Sequence, residues 1–260
     1  MTPLDIDEIQ ASLSTKKIGR SILHEMTCDS TMNIARSEAQ DGAAHGTLVL
    51  AEEQTSGRGR FGRAWTSPPG TNLYLTLIVR PPVERLRSLT MIAPLAVCQA
   101  AEDVASLNAR IKWPNDVLVH ERKLAGILVE TEVSGQDVRF ALIGIGLNVN
   151  LDVERAPEIA QIATSLMRES GRQISQEKTL TALLNRLEEL YESPATSIVE
   201  AWRSRLETLG RHLKLSLGDK VYDGVAEDVD DVGNLVLRRP DGSTMTFEAG
   251  EVSLRDPNGA

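Results

Sequence analysis

The sequence predicts a mixed α/β (α+β) fold, with a main domain over residues 1–210 and a small β-barrel over 211–260. Three observations predict it. Strand-like and helix-like stretches alternate through the first four fifths of the chain. At Arg211 the texture changes to short strand patterns separated by Gly-Asp, Asp-Val-Gly-Asn and Asp-Gly turns. With 260 residues, 41% of them apolar, the chain can build one large core and a small appendage.

Residues 5–14 carry a short acidic helix pattern, and Ser21–Met26 reads as a strand. Asp29 or Ser30 is placed to cap a helix that runs to about Gln40 and stops at Gly42. Thr47–Glu53 is a strong strand. After an Arg/Gly loop and Ser67-Pro68-Pro69-Gly70, Leu73, Leu75, Leu77 and Val79 alternate as a strand ended by Pro81 and Pro82. Residues 86–108 hold the longest helical pattern, in which Pro94 either kinks the helix or marks its first turn. Strands follow at Asp116–His120, Lys123–Val133 and Val138–Leu147, then two or three helices between 157 and 209, with Gly210 as a stop. The barrel strands are HLKLSL, VYDGVAEDV, NLVLRR and STMTFE.

Composition removes several function classes. Acidic residues outnumber basic ones 37 to 28, a net charge of −9 that opposes bulk attraction to nucleic-acid phosphates or anionic lipid. Three each of Trp, Tyr and Phe leave little for a base-stacking platform. Cys28 and Cys98 form neither a disulfide framework nor a metal spacing, which points to a reducing compartment. The acidic N-terminus has no signal-peptide pattern, and no apolar run is long enough for a bilayer. The expectation is a soluble cytoplasmic protein with no DNA and no membrane partner.

Five segments carry candidate chemistry. Gly57-Arg58-Gly59-Arg60-Phe61-Gly62-Arg63 matches G-x-G-x-x-G, but the following Ala-Trp-Thr-Ser-Pro-Pro-Gly cannot open the helix of a dinucleotide fold. What remains is a glycine loop with three guanidiniums suited to carboxylate or phosphate, or equally a solvated hairpin with incidental charge. Lys112-Trp113-Pro114-Asn115-Asp116 reads as a turn, and also as a grouping in which Asp116 or Asn115 could hold Mg²⁺ beside substrate phosphates. Lys123 heads an apolar strand, as a pocket lysine or as an edge charge against aggregation. Gly144 and Gly146 mark close approach to a ligand or a bulge, with Asn148 just beyond. Asp29-Ser30-Thr31 serves as a helix cap or as hydroxyl donors to a polar ligand. His24, His45, His120 and His212 show no metal spacing, and there is no G-x-S-x-G elbow.

In this order the segments resemble those of biotin–protein ligases, also called biotin–[acetyl-CoA-carboxylase] ligases. The resemblance is carried by D-S-T at 29–31, the run from Gln54 to Trp65, K-W-P-N-D at 112–116 and K-L-A-G-I-L at 123–128. G-x-G-x-N at 144–148, A-T-S-L at 163–166 and A-G-E-V-S-L-R at 249–255 extend it over about residues 20–255. Two positions depart from the pattern: Met32 stands where the family often has Asn, and Phe61 replaces a sometimes basic residue.

The resemblance implies a catalytic domain like that of class II aminoacyl-tRNA synthetases, followed by an SH3-like barrel. It implies activation of biotin with ATP and Mg²⁺ to biotinyl-5′-AMP, then transfer to one lysine of a biotin carboxyl carrier protein domain. The motifs begin by residue 29, so a DNA-binding domain and a repressor role are expected to be absent; a homodimer is left open. By the same resemblance Ser30, Thr31, Gln54, Gly57, Arg58, Gly59, Arg60, Lys123 and Gly126 bind biotin. Arg58, Arg60, Arg63, Trp65, Lys112, Asn115 and Asn148 serve the nucleotide, and Asp116 with Asn115 the magnesium. Lys123, Arg60 and Asp116 are the expected catalytic residues, Asp116 as base toward the acceptor lysine. The chemistry suits them, because a carboxylate attacking an α-phosphorus brings two anions together and cations relieve the repulsion. Rival readings are a lipoate–protein ligase, a nucleic-acid-binding module and a catalytically inactive biotin binder.

Overall fold

In a computed structural model of the protein, residues 3–135, 137–155 and 159–254 are described. The long strand β3 (Leu73–Val79) is buried at all seven positions, although its sequence alternates like a strand with one wet face. The reason is cover on both sides. Leu75, Leu77 and Val79 join the main apolar core with α3 (Leu86–Ala105), while Ile78 packs with Met32, Ala35 and Ala39 of α2 (Thr31–Gln40). Thr76 also faces α2 and donates to the Thr31 hydroxyl at 2.9 Å.

Around β3 a seven-stranded sheet runs in the order β1-β2-β3-β7-β6-β5-β4. Its other strands are β1 (Ile22–Glu25), β2 (Leu48–Ala51), β4 (Arg110–Lys112), β5 (Asp116–Val119), β6 (Arg122–Ser134) and β7 (Asp137–Leu147). All neighbours are antiparallel except β1 and β2. The sequence reading missed β4, three residues too short to show a period. α1 (Ile6–Ser12) lies inside the expected helix, and α3 carries Pro94 within its length, so Pro94 does not mark the helix's first turn. α4 (Leu166–Ser170), α5 (Gln176–Glu192) and α6 (Ala195–Ser204) account for the three helices before Gly210.

The C-terminal strands form a separate five-stranded sheet, ordered β11-β10-β9-β8-β12. They are β8 (His212–Leu217), β9 (Lys220–Val229), β10 (Leu235–Arg238), β11 (Thr244–Phe247) and β12 (Glu251–Leu254). The first four match the sequence expectation; β12 was legible only as a motif. Apolar packing does not stop at residue 210. Leu213, Leu215 and Leu235 share the main core with Trp113, whose indole donates to the Gly233 carbonyl at 3.0 Å. This packing brings β12 beside the Arg/Gly loop. No helix among the described residues is long and apolar enough to cross a membrane.

Candidate active site

The site begins at the first turn of α2. Ser30 is the cap residue, yet its hydroxyl makes no cap bond. Asp29 instead takes the Ser30 N–H at 2.5 Å and the Asn33 amide at 2.6 Å. The Ser30 hydroxyl is thus buried without a partner among the described residues. An unsatisfied buried hydroxyl costs about 1–3 kcal/mol, a cost that a ligand group can remove. Thr31 is spoken for: its N–H and hydroxyl both reach Gln54 Oε1, at 2.9 and 3.2 Å. Gln54 Nε2 in turn donates to Ser67 at 3.0 Å. Gln54 therefore ties α2 to the far end of the Arg/Gly loop.

That loop is a narrow hairpin, closed by Gly59 N–H to Arg63 O at 2.8 Å and Trp65 N–H to Gly57 O at 2.9 Å. A Cβ on Gly57 would lie 2.5 Å from the Trp65 carbonyl, so only glycine permits the close crossing. Phe61 sits at the tip with φ 56° and its ring largely exposed, and the Arg60 guanidinium lies 4.8 Å from that ring. The three arginines point to different anchors. Arg58 donates to Asn33 at 2.6 Å, Arg60 to Asn115 Oδ1 at 2.9 Å and Gly250 O at 3.3 Å, and Arg63 pairs with Glu251. Two of the anchors come from the C-terminal sheet or its edge.

Under the loop, Gly126 and Gly146 are register partners on β6 and β7. A Cβ on Gly146 would come within 2.4 Å of the Trp65 indole, and one on Gly126 within 2.9 Å. The paired glycines form a flat floor on which the indole lies. Its Nε1 is buried and unpartnered among the described residues. Lys123 Nζ stands 5.3 Å from the Trp65 ring and 2.7 Å from Asp116. Burial pushes the Lys112 ammonium and the Arg60 guanidinium below their ordinary values, against the opposing pull of Asp116 on both. Three cations around one carboxylate make this wall positive, in a chain whose net charge is −9. Such a wall receives anions.

These features line one cavity of about 290 Å³. Of the residues singled out from sequence, Ser30, Thr31, Gln54, Arg58, Gly59, Arg60, Arg63, Trp65, Lys112, Asn115, Asp116, Lys123, Gly126 and Asn148 all line it. Gly57 does not; it shapes the hairpin. Asn115 donates to Ile127 O at 2.7 Å while holding Arg60, and Asn148 bonds Thr164 O at 3.0 Å and Asn72 at 3.3 Å. Both amides tie walls together. Among the described residues no group of three His, Cys, Asp or Glu gathers to hold a metal. Gly250 and Glu251 also line the cavity, although the sequence reading gave them no role. Their signal was the A-G-E-V-S-L-R motif; its Arg255 lies outside the described residues.

Residues 23–148 match the biotin/lipoate A/B protein ligase family, and 208–255 match the biotin protein ligase C-terminal domain. A bifunctional ligase/repressor of Bacillus subtilis is 34% identical over 253 residues, covering 95% of this chain and 78% of the relative. The chain belongs to this ligase family. Another member, a biotin–[acetyl-CoA-carboxylase] ligase of Paracoccus denitrificans, is 35% identical, covering 82% of this chain and 92% of the relative. The family fold is also seen in a biotin protein ligase of Aquifex aeolicus in complex with biotin and ATP. It superposes with a TM-score of 0.77 at 30% identity, covering 91% of this chain and 99% of that one.

Proposed function

We propose that the chain is an ATP-dependent biotin–protein ligase. Biotin's carboxylate oxygen attacks the α-phosphorus of ATP, giving biotinyl-5′-AMP and pyrophosphate. The ε-amine of one lysine on a biotin carboxyl carrier domain then attacks the carbonyl carbon, forming an amide and releasing AMP. The carrying observation is one cavity lined both by the Ser30 hydroxyl, without a partner among the described residues, and by the cations Lys123, Arg60 and Lys112. Biotin has the matching asymmetry, a ureido ring at one end and a carboxylate at the other.

In this reading Ser30 completes its hydrogen bonding on the ureido group, with Thr31 and Gln54 holding α2 in place. Lys123 and Arg60 offset the repulsion between carboxylate and α-phosphate, a contribution of about 10²–10³ in rate for one well-aimed group. Arg58, Arg63, Lys112, Asn148 and the Trp65 ring serve the nucleotide side, and Asn115 holds Arg60 at its working position. Mg²⁺ is normally held by one or two carboxylates plus substrate phosphates, so Asp116 would be its protein ligand, while Asn115 Oδ1 is taken by Arg60. The ion supplies charge neutralisation on the phosphates. In this reading Asp116 also takes the proton from the incoming amine.

Lipoate is the nearest competitor, as the family description itself names both acids. Its dithiolane ring offers the Ser30 hydroxyl no strong hydrogen-bond partner, which favours biotin. The test is incubation with ATP, Mg²⁺, a carrier domain and either acid, read by mass spectrometry. A biotin-sized addition on one lysine is expected; lipoate addition alone would overturn the reading.

A further inference from the structure

We infer that Met32 is a specificity-determining residue, whose thioether closes the ring end of the cavity. The inference rests on the biotin reading above. Met32 follows Ser30 and Thr31 on α2 and lies against Gly144, whereas Trp65 and Lys123 lie against Gly146 and Gly126, so it belongs to the Ser30 end of the cavity. It is 3% exposed and lines the cavity. Its other side packs into the small core with Ala35, Val49, Ile78 and Phe140 beneath α2. Met32 is therefore the partition between ligand space and that core.

The partition exists because residue 144 has no side chain. A Cβ on Gly144 would lie 2.8 Å from Met32 Sδ and 3.4 Å from Cγ. Gly144 and Gly146 share one face of β7, as every second residue of a strand does. One carries Met32 and the other carries Trp65. Gly144 needs no unusual φ, so its lack of a side chain answers to space alone. An added methyl group there meets the flexible end of Met32 and moves it; the core beneath α2 is filled, so the thioether moves toward the ligand.

Two substitutions then work in opposite directions. Met32→Ala opens the ring end, and Gly144→Ala narrows it. One methylene in an apolar pocket changes discrimination roughly 10- to 200-fold. The experiment compares kcat/KM for adenylate formation with biotin, with a biotin methylated on its ring system, and with homobiotin, which is one methylene longer in the tail.

Met32→Ala is expected to raise the ratio of ring-methylated analogue to biotin at least about tenfold, and to leave the homobiotin ratio unchanged. Gly144→Ala is expected to raise KM for biotin about tenfold, with recovery in the Met32→Ala/Gly144→Ala double variant. Equal gains for both analogues, or a ratio that moves less than twofold, would overturn the inference. So would wild-type biotin KM in Gly144→Ala, a readout that stands if Met32→Ala does not fold. A parent protein that forms no biotinyl adenylate overturns the functional reading as well; a parent that forms it beside unmoved variants overturns only the role of Met32.

Discussion

Arg63, in the Arg/Gly hairpin, forms an ion pair with Glu251 on β12, across 188 residues of sequence. The bond raises the Arg63 pKa and, chiefly by itself, lowers that of Glu251. With the Arg60 bond to Gly250 O it fastens the hairpin to the C-terminal sheet. The packing of Trp113 under Gly233 places that sheet, so a fold contact distant from the chemistry sets the position of the loop over it.

Glu251→Gln should loosen the hairpin without unfolding the protein. Both partners are substantially exposed, so the pair is worth at most about 1 kcal/mol, or roughly fivefold in loop opening. Amide exchange at Gly59 and Trp65, whose N–H groups close the hairpin, is the measure. The difference from the parent should shrink in high salt. Because the folded Glu251 pKa is lowered, the tether is complete above the ordinary glutamate value and is lost as pH falls through the lowered one. Exchange that is identical in variant and parent at neutral pH would remove the latch.

Gly146→Ala tests the glycine floor. Its new Cβ would stand 2.4 Å from the Trp65 indole, which is not a flexible chain end and must leave. The expected result is a folded protein with altered tryptophan emission and weaker ATP binding, by about tenfold, since a misplaced aromatic face typically costs 1–3 kcal/mol. Unchanged emission with normal ATP affinity would mean the indole does not rest there.

Lys123→Ala should fold, since the side chain is one-third exposed, and should lose adenylate formation by about 10²–10³. Biotin-dependent pyrophosphate exchange is the assay. Near-parental exchange would return Lys123 to the role of an edge charge.

Most of the large sheet was legible because its strands are long enough to show a period, whereas three-residue β4 could not. The burial of β3 on both faces was not legible, since alternation reports only where apolar residues fall, and Tyr74 and Thr76 are covered by α2 and the loop all the same. At the site, side-chain types announced themselves in Arg58, Arg60, Lys112 and Lys123. Sequence could not say which polar groups end up satisfied. Gln54, Asn115 and Asn148 spend their hydrogen bonds on the protein, while Ser30 keeps its hydroxyl free of partners among the described residues. Glu251 escaped because its partner, Arg63, lies in a loop 188 residues earlier in the sequence.

Arg60→Gly separates binding from sealing. Arg60 lines the cavity, holds Asn115 and reaches Gly250, so it links the loop to both the site and the C-terminal sheet. If it only helps to bind biotin, the variant should need more biotin and otherwise behave normally. If it also retains the adenylate, losing a charge-assisted hydrogen bond of about 1.5–3 kcal/mol should shorten the complex's lifetime about ten- to a hundredfold. Free biotinyl-5′-AMP would then acylate exposed amines. The second outcome is expected, because one guanidinium ties the hairpin to two other segments and its removal releases all of those ties together. The measurement is biotin incorporation into an unrelated lysine-rich protein incubated with the variant, biotin, ATP and Mg²⁺. A bystander that stays unlabelled while the variant still forms adenylate would restrict Arg60 to binding.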